Sequence, residues 1–232
     1  MILYCFPFAG GSAHSFTGFK EAFHPEMQLR LLEPPGRGLR MNERPLHSLD
    51  AIAMDYLEQI DPVKAPFALW GHSMGAIAAY VVVQLLIRTK SPLPAALFVS
   101  GCKGIPLEVK QDAIHQMPSD QFWKHIISFG GIPEEIMHNM DLLKFFEPVI
   151  RADIHAVENF SLPGYKPIDI PIVNLAGHKD DVIEDGMVHR NIAPWNVLSS
   201  QVRYQVFPGD HFFIYHQVQA VKDTISQFLF RH

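Results

Sequence analysis

Six short apolar runs recur along the chain, and between them the apolar residues fall at helical spacing. That alternation restricts the fold more than any single motif does. The runs are ILYCF (2–6), QLRLLE (28–33), FALWG (67–71), AALFVS (95–100), IPIVNLA (170–176) and QVRYQVF (201–207). Runs this continuously apolar suit strands buried on both faces, the signature of a parallel sheet with helices on either side. The segment SLDAIAMDYLEQI sets Leu49, Ile52, Ala53, Tyr56, Leu57 and Ile60 on one helical face, and Val218, Val221, Ile225 and Phe228 repeat that spacing near the end. The pattern predicts an α/β class, with a mostly parallel central sheet flanked by helices.

One region breaks the rhythm. Residues 105–168 show no convincing strand but three helical pieces, PSDQFWKHIISF, PEEIMHNM and DLLKFFEPVIRADIHAVENF, interrupted by Gly130-Gly131, Pro133 and Pro148. By periodicity alone this insertion suits either ordinary packing helices or a lid with an apolar underside. With 232 residues, 48% of them hydrophobic, the chain can bury a sizeable core, and 1–232 is expected to form a single domain. Neither a repeat nor a linker divides it.

Charge and composition exclude several functions. A net charge of −5 offers no broad basic surface for nucleic acid. Cys5 and Cys102 stand in or beside apolar runs and read as buried thiols of a reducing compartment. The opening MILYCFPFAGG lacks a basic leader and its apolar run stops at Pro7; AIAAYVVVQLLI, bounded by Gly75 and Arg88, is too short to span a bilayer. A cytoplasmic protein without a membrane segment is expected.

The chemistry concentrates in a few loops. Gly71-His72-Ser73-Met74-Gly75 fits G-x-S-x-G, directly after a strand and before a helix, which is the context that motif needs. A serine on so sharp a turn has strained dihedrals, and residues two away must lack side chains for the helix to pack close. The turn lifts Oγ from the sheet edge and sets a helix N-terminus beneath it, where negative charge is favoured. A serine hydroxyl needs a base held by a third group, and in the α/β-hydrolase arrangement the order is serine, acid, histidine. AGHKDDVI offers Asp180, with Gly177 three residues before and Ile183 three after; Asp181 is the alternative. FPGDHFF offers His211. No H-E-x-x-H and no paired cysteines occur, so no metal site is expected. Oxyanion donors would be the Met74 N–H and one from FPFAGGSA, where Gly10 and Gly11 allow close backbone approach. That loop matches neither phosphate-binding glycine pattern.

Together these residues resemble the type II thioesterases, α/β-hydrolases that serve polyketide synthases and non-ribosomal peptide synthetases. The resemblance covers essentially the whole chain: FPFAGGSAHSF, PPGRGLRMNE, WGHSMGA, FGGIPEEI, PVIRADIHAVENF and FPGDHFF. Generic esterases lack the insertion motifs, which makes them more specific than G-x-S-x-G. The resemblance implies a lid at residues 105–168, Ser73 as nucleophile, His211 as base and an aspartate of GHKDD as acid. It also implies Met74 and Ala9, or in its place Phe8, as backbone oxyanion donors. The family often reads G-G-x-D-D-P-L-V at the acid loop; AGHKDDVIEDG lacks the proline and carries Lys179.

The implied substrates are acyl groups on the phosphopantetheine arm of acyl or peptidyl carrier proteins, removed when stalled or wrong. No cofactor is implied, nor nucleic acid nor membrane, and a monomer is expected. Two rivals are an esterase or lipase acting on free esters, and a catalytically silent module that docks on carrier domains.

Overall fold

The computed structural model describes residues 1–20, 23, 26–106, 113–132, 134–161, 164, 166–180 and 192–230. Eight strands fall among them: β1 (Ile2–Phe6), β2 (Gln28–Leu31), β3 (Phe67–His72), β4 (Leu97–Ser100), β5 (Gly104–Pro106), β6 (Ile172–Gly177), β7 (Ile192–Pro194) and β8 (Val202–Phe207). Six of them form one sheet in the order β2-β1-β3-β4-β6-β8. Every neighbouring pair in it is parallel. These six fall on the six apolar runs, with ends that agree to within two residues. From β1 the chain steps outward to β2, then returns to β3 and builds the opposite way. The strand order therefore reverses between β1 and β3, and the loops leaving their C-terminal ends frame a crevice of the kind that binds ligands.

Residues alternate between two apolar layers. Ile2, Tyr4, Phe6 and Leu69 face a core shared with α1 (Leu49–Glu58) and α2 (Met74–Arg88). Leu3, Cys5, Ala68 and Trp70 face the other, with Phe16, Phe19 and the C-terminal helix Val218–Phe230. Ser48 starts α1 by accepting the Ala51 N–H, and Leu49, Ile52, Ala53 and Tyr56 are its buried face. Ile60 is buried beyond the helix end. Both cysteines are free and buried, and burial pushes the Cys102 thiol up to about 12.

The insertion holds α3 (Ser119–Ser128), α4 (Glu134–Met137) and α5 (Met140–Glu158). It differs from expectation in two ways. Gly104–Pro106 pairs antiparallel with Ile192–Pro194, so a strand opens the segment; three residues are too few to show a period. Pro148 does not interrupt its helix: α5 runs 19 residues straight through it. An interior proline costs about 3 kcal/mol. Here Leu143 on one side, and Ile150 and Ile154 on the other, pack into one apolar cluster with Phe122, Trp123 and Ile126 of α3, enough burial to outweigh that cost. Past them, Ala156, Val157 and Phe160 enter the main core. One helix thus belongs to two cores.

Candidate active site

Ser73 stands between β3 and α2 as the N-cap of the helix, with φ 53° and ψ −117°, and its side chain makes no capping bond. A serine at a helix start ordinarily spends its oxygen on an N2 or N3 amide. This one does not, and among the described residues its Oγ has no hydrogen-bond partner. The backbone holds the strain instead: Ser73 N–H donates to the Ser100 carbonyl at 2.8 Å. A Cβ on Gly71 would overlap the Gly75 carbonyl, and one on Gly75 the Phe6 carbonyl. The two glycines let α2 sit directly against the ends of β1 and β3.

Two loops at the far side of the sheet are stitched by their backbones. The His178 N–H donates to the Phe207 carbonyl and the Lys179 N–H to the Gly209 carbonyl, each at 2.9 Å. His178 Nδ1 accepts the Gly209 N–H at 3.0 Å. That seam brings Asp180 against His211, whose Nδ1 lies 3.0 and 3.1 Å from the two carboxylate oxygens. Both residues are buried. Asp181, the alternative acid, lies outside the described residues. No hydrogen bond joins Ser73 to His211 here; such bonds are often loose before substrate binds.

The loop after β1 closes a turn in which the Gly11 N–H donates to the Phe8 carbonyl at 2.8 Å. Gly10 sits at φ 77° in that turn. The Ala9 and Met74 N–H groups have no acceptor among the described residues. Asp153 of α5 accepts the Gly10 N–H at 2.7 Å and two bonds from Arg37, at 2.5 and 2.9 Å. Spacing gives no sign of this pair, because its members are 116 residues apart.

His72 was also missed as more than a motif filler. It is fully buried, and its ring centroid lies 5.0 Å from that of His211. Burial, and next the charge of His211, hold its pKa well below the usual imidazole range. The Ser100 hydroxyl accepts from Trp70 Nε1 and gives its proton to the Gly71 carbonyl. His72 Nδ1 shares a hydrogen bond with the Ser100 hydroxyl at 2.9 Å, and its Nε2 is buried without a partner. Gly101 lies beneath both imidazoles: a Cβ there would stand 2.7 Å from His72 Cε1 and 2.9 Å from His211 Cε1.

Ser73, Ala9 and His211 line a cavity of 770 Å³ whose opposite wall is the insertion, with Ile126, Phe129, Ile136, Phe146 and Ile150. Ser12, Ser15, Thr17 and Asp210 supply polar lining. Among the described residues no group of three or more His, Cys, Asp or Glu is placed to hold a metal, and no helix is long and apolar enough to cross a membrane.

A parallel sheet reversing at β1 and β3, with a strained serine at the reversal, defines an α/β-hydrolase. A thioesterase-domain family model matches residues 1–229, and the chain belongs to that family. It is 29% identical to the gramicidin S biosynthesis protein GrsT of Aneurinibacillus migulanus, over 92% of this chain and 82% of that one. Among solved structures, RedJ, a thioesterase of the prodiginine pathway in Streptomyces coelicolor, superposes with a TM-score of 0.85. It is 29% identical, covering 97% of this chain and 84% of that one. YbtT, a type II thioesterase of the yersiniabactin pathway, gives 0.80 at 28% identity, over 97% and 90%. The protein is accordingly a type II thioesterase by resemblance and an enzyme by family.

Proposed function

We propose that this enzyme hydrolyses acyl thioesters carried on the phosphopantetheine arm of acyl or peptidyl carrier proteins, clearing stalled or wrong chains during polyketide or non-ribosomal peptide assembly. The observation that carries the proposal is an uncapped, strained serine sharing a cavity with a carboxylate-held histidine. Ser73 Oγ attacks the thioester carbonyl as His211 Nε2 takes its proton. Asp180, at His211 Nδ1, fixes the tautomer and steadies the imidazolium. The Met74 and Ala9 N–H groups receive the oxyanion at the start of α2. The C–S bond then breaks, His211 protonates the departing thiol, and a water activated by His211 hydrolyses the acyl-serine. No step draws on a cofactor or a metal.

The partner supplies the substrate, so the cavity has to accept an acyl chain and a slender arm together. The apolar insertion side chains suit the chain, and the polar lining suits the amides of the arm. In this reading residues 105–168 act as a lid over the site of a single cytoplasmic domain.

The test compares carrier-bound acyl thioesters with free acyl esters of equal length. Faster turnover of the thioesters is expected, and a preference for the esters would make the enzyme an esterase. A fluorophosphonate probe should label the wild type but not Ser73→Ala. A wild type that stays unlabelled would instead be a silent carrier-docking module.

A further inference from the structure

We propose that Asp153, paired with Arg37, is a positioning residue for oxyanion stabilisation: the buried ion pair sets the peptide plane next to the Ala9 donor. The inference rests on the reading above, in which Ser73 is the nucleophile and the Ala9 N–H an oxyanion donor.

Ala9 and Gly10 are the two central residues of the Phe8–Gly11 turn, and Gly10 at φ 77° gives it type II character. The peptide between them can turn over within such a turn, exchanging the directions of the Ala9 carbonyl and the Gly10 N–H. Asp153 Oδ2 takes the Gly10 N–H at 2.7 Å and fixes one direction. Arg37 Nη1 bonds the same oxygen and also the Gly11 carbonyl, at 3.1 Å. One ion pair therefore grips two successive groups of the loop. The Ala9 N–H, in the peptide just before, is left without a competing acceptor.

Burial argues that the pair serves geometry rather than stability. The side chains of Arg37 and Asp153 are 5% and 1% exposed, and Arg37 Nε is buried with no partner. Apolar residues of similar volume stabilise such a position as well or better. Charge argues the same way. A lone carboxylate one residue from a developing oxyanion would oppose it, whereas a neutralised carboxylate orients the loop without that penalty. Asp153 stands on α5, so the insertion reaches the chemistry through this contact and does more than roof the cavity.

The test is steady-state hydrolysis of an acyl thioester by Asp153→Asn and Arg37→Lys, with inhibition by a trifluoromethyl ketone acyl analogue, whose tetrahedral adduct needs the same donors. Asp153→Asn is expected to lower kcat on the order of 10²-fold, as loss of an oxyanion donor does, with KM within about two-fold of wild type. The ketone's Ki should rise by the same factor as kcat falls. Arg37→Lys keeps the charge but loses the fork, and should lose roughly ten-fold in kcat with the same parallel in Ki. It also serves if Asp153→Asn does not fold. Wild-type kcat in either folded variant overturns the proposal, and so does a fall in kcat that Ki does not mirror. If wild type and Ser73→Ala are equally inert toward thioesters, it is the thioesterase reading of Ser73 that fails instead.

Discussion

Ser73 carries backbone strain that a functionless turn would shed, since a non-glycine residue at φ 53° costs about 1–2 kcal/mol. In the proposed mechanism its base, His211, is held from behind by the two carboxylate oxygens of Asp180, so the acid's role is to select a tautomer. Asp180→Asn would present an amide to Nδ1 and favour the wrong one. The expected result is a fall in kcat of up to about 10⁴-fold with the fold intact, measured on thioester substrate beside circular dichroism. A small effect there, with a large one for Asp181→Asn, would move the acid by one position. These residues were legible as candidates because each announces itself locally: a serine between glycines, an aspartate three after a glycine, a histidine after FPGD. His72, Gly101 and the Arg37–Asp153 pair were not. Their meaning lies in what packs against them, from strands or helices 28 to 116 residues away.

At the scale of elements, the six sheet strands were legible as short apolar runs, but only the inner four, β1, β3, β4 and β6, are buried nearly throughout. The edge strands β2 and β8 stay largely exposed, because an edge strand has a neighbour on one side alone. β5 and β7 escaped notice because three residues carry no period, and Pro148 misled because local propensity yields to packing. Gly130 and Gly131, both at positive φ, end the α3 segment in contact with the loop of the base. A Cβ on Gly131 would run into the Phe212 ring, which is wedged edge-on against Phe8 at 5.0 Å and His211 at 5.0 Å. Gly131→Ala is expected to cost about 2 kcal/mol of stability by overpacking, read from denaturant unfolding. It should also reduce kcat, because the displaced ring is next in sequence to His211, the proposed base. Unchanged stability and rate would mean that the turn relaxes freely.

For the whole molecule, the buried His72 ties stability to pH. Stability rises with pH wherever the unfolded chain holds more protons than the native one. With the folded value well below the ordinary 6.5, that window runs downward from about 6.5, the unfolded imidazole value. The contribution is complete above 6.5 and is lost as pH falls toward the folded value, with a slope of at most about 1.4 kcal/mol per pH unit. Thermal unfolding should therefore drop in midpoint below pH 6.5, and His72→Asn should flatten that limb. An identical slope in the variant would assign the loss to other groups.

The two walls of the cavity differ in how much alteration they tolerate. On the sheet side Gly71, Gly75 and Gly101 leave no clearance, so almost any added atom displaces the serine, its helix, His72 or His211. On the insertion side the lining includes half-buried aliphatic and aromatic side chains such as Ile136 and Phe146, which have more room to be exchanged for smaller or larger ones. In the proposed reading, where the acyl chain lies against that wall, chain preference can therefore drift by single substitutions there while the chemistry stays fixed. A library built to retune chain length should vary the roof and leave the floor alone.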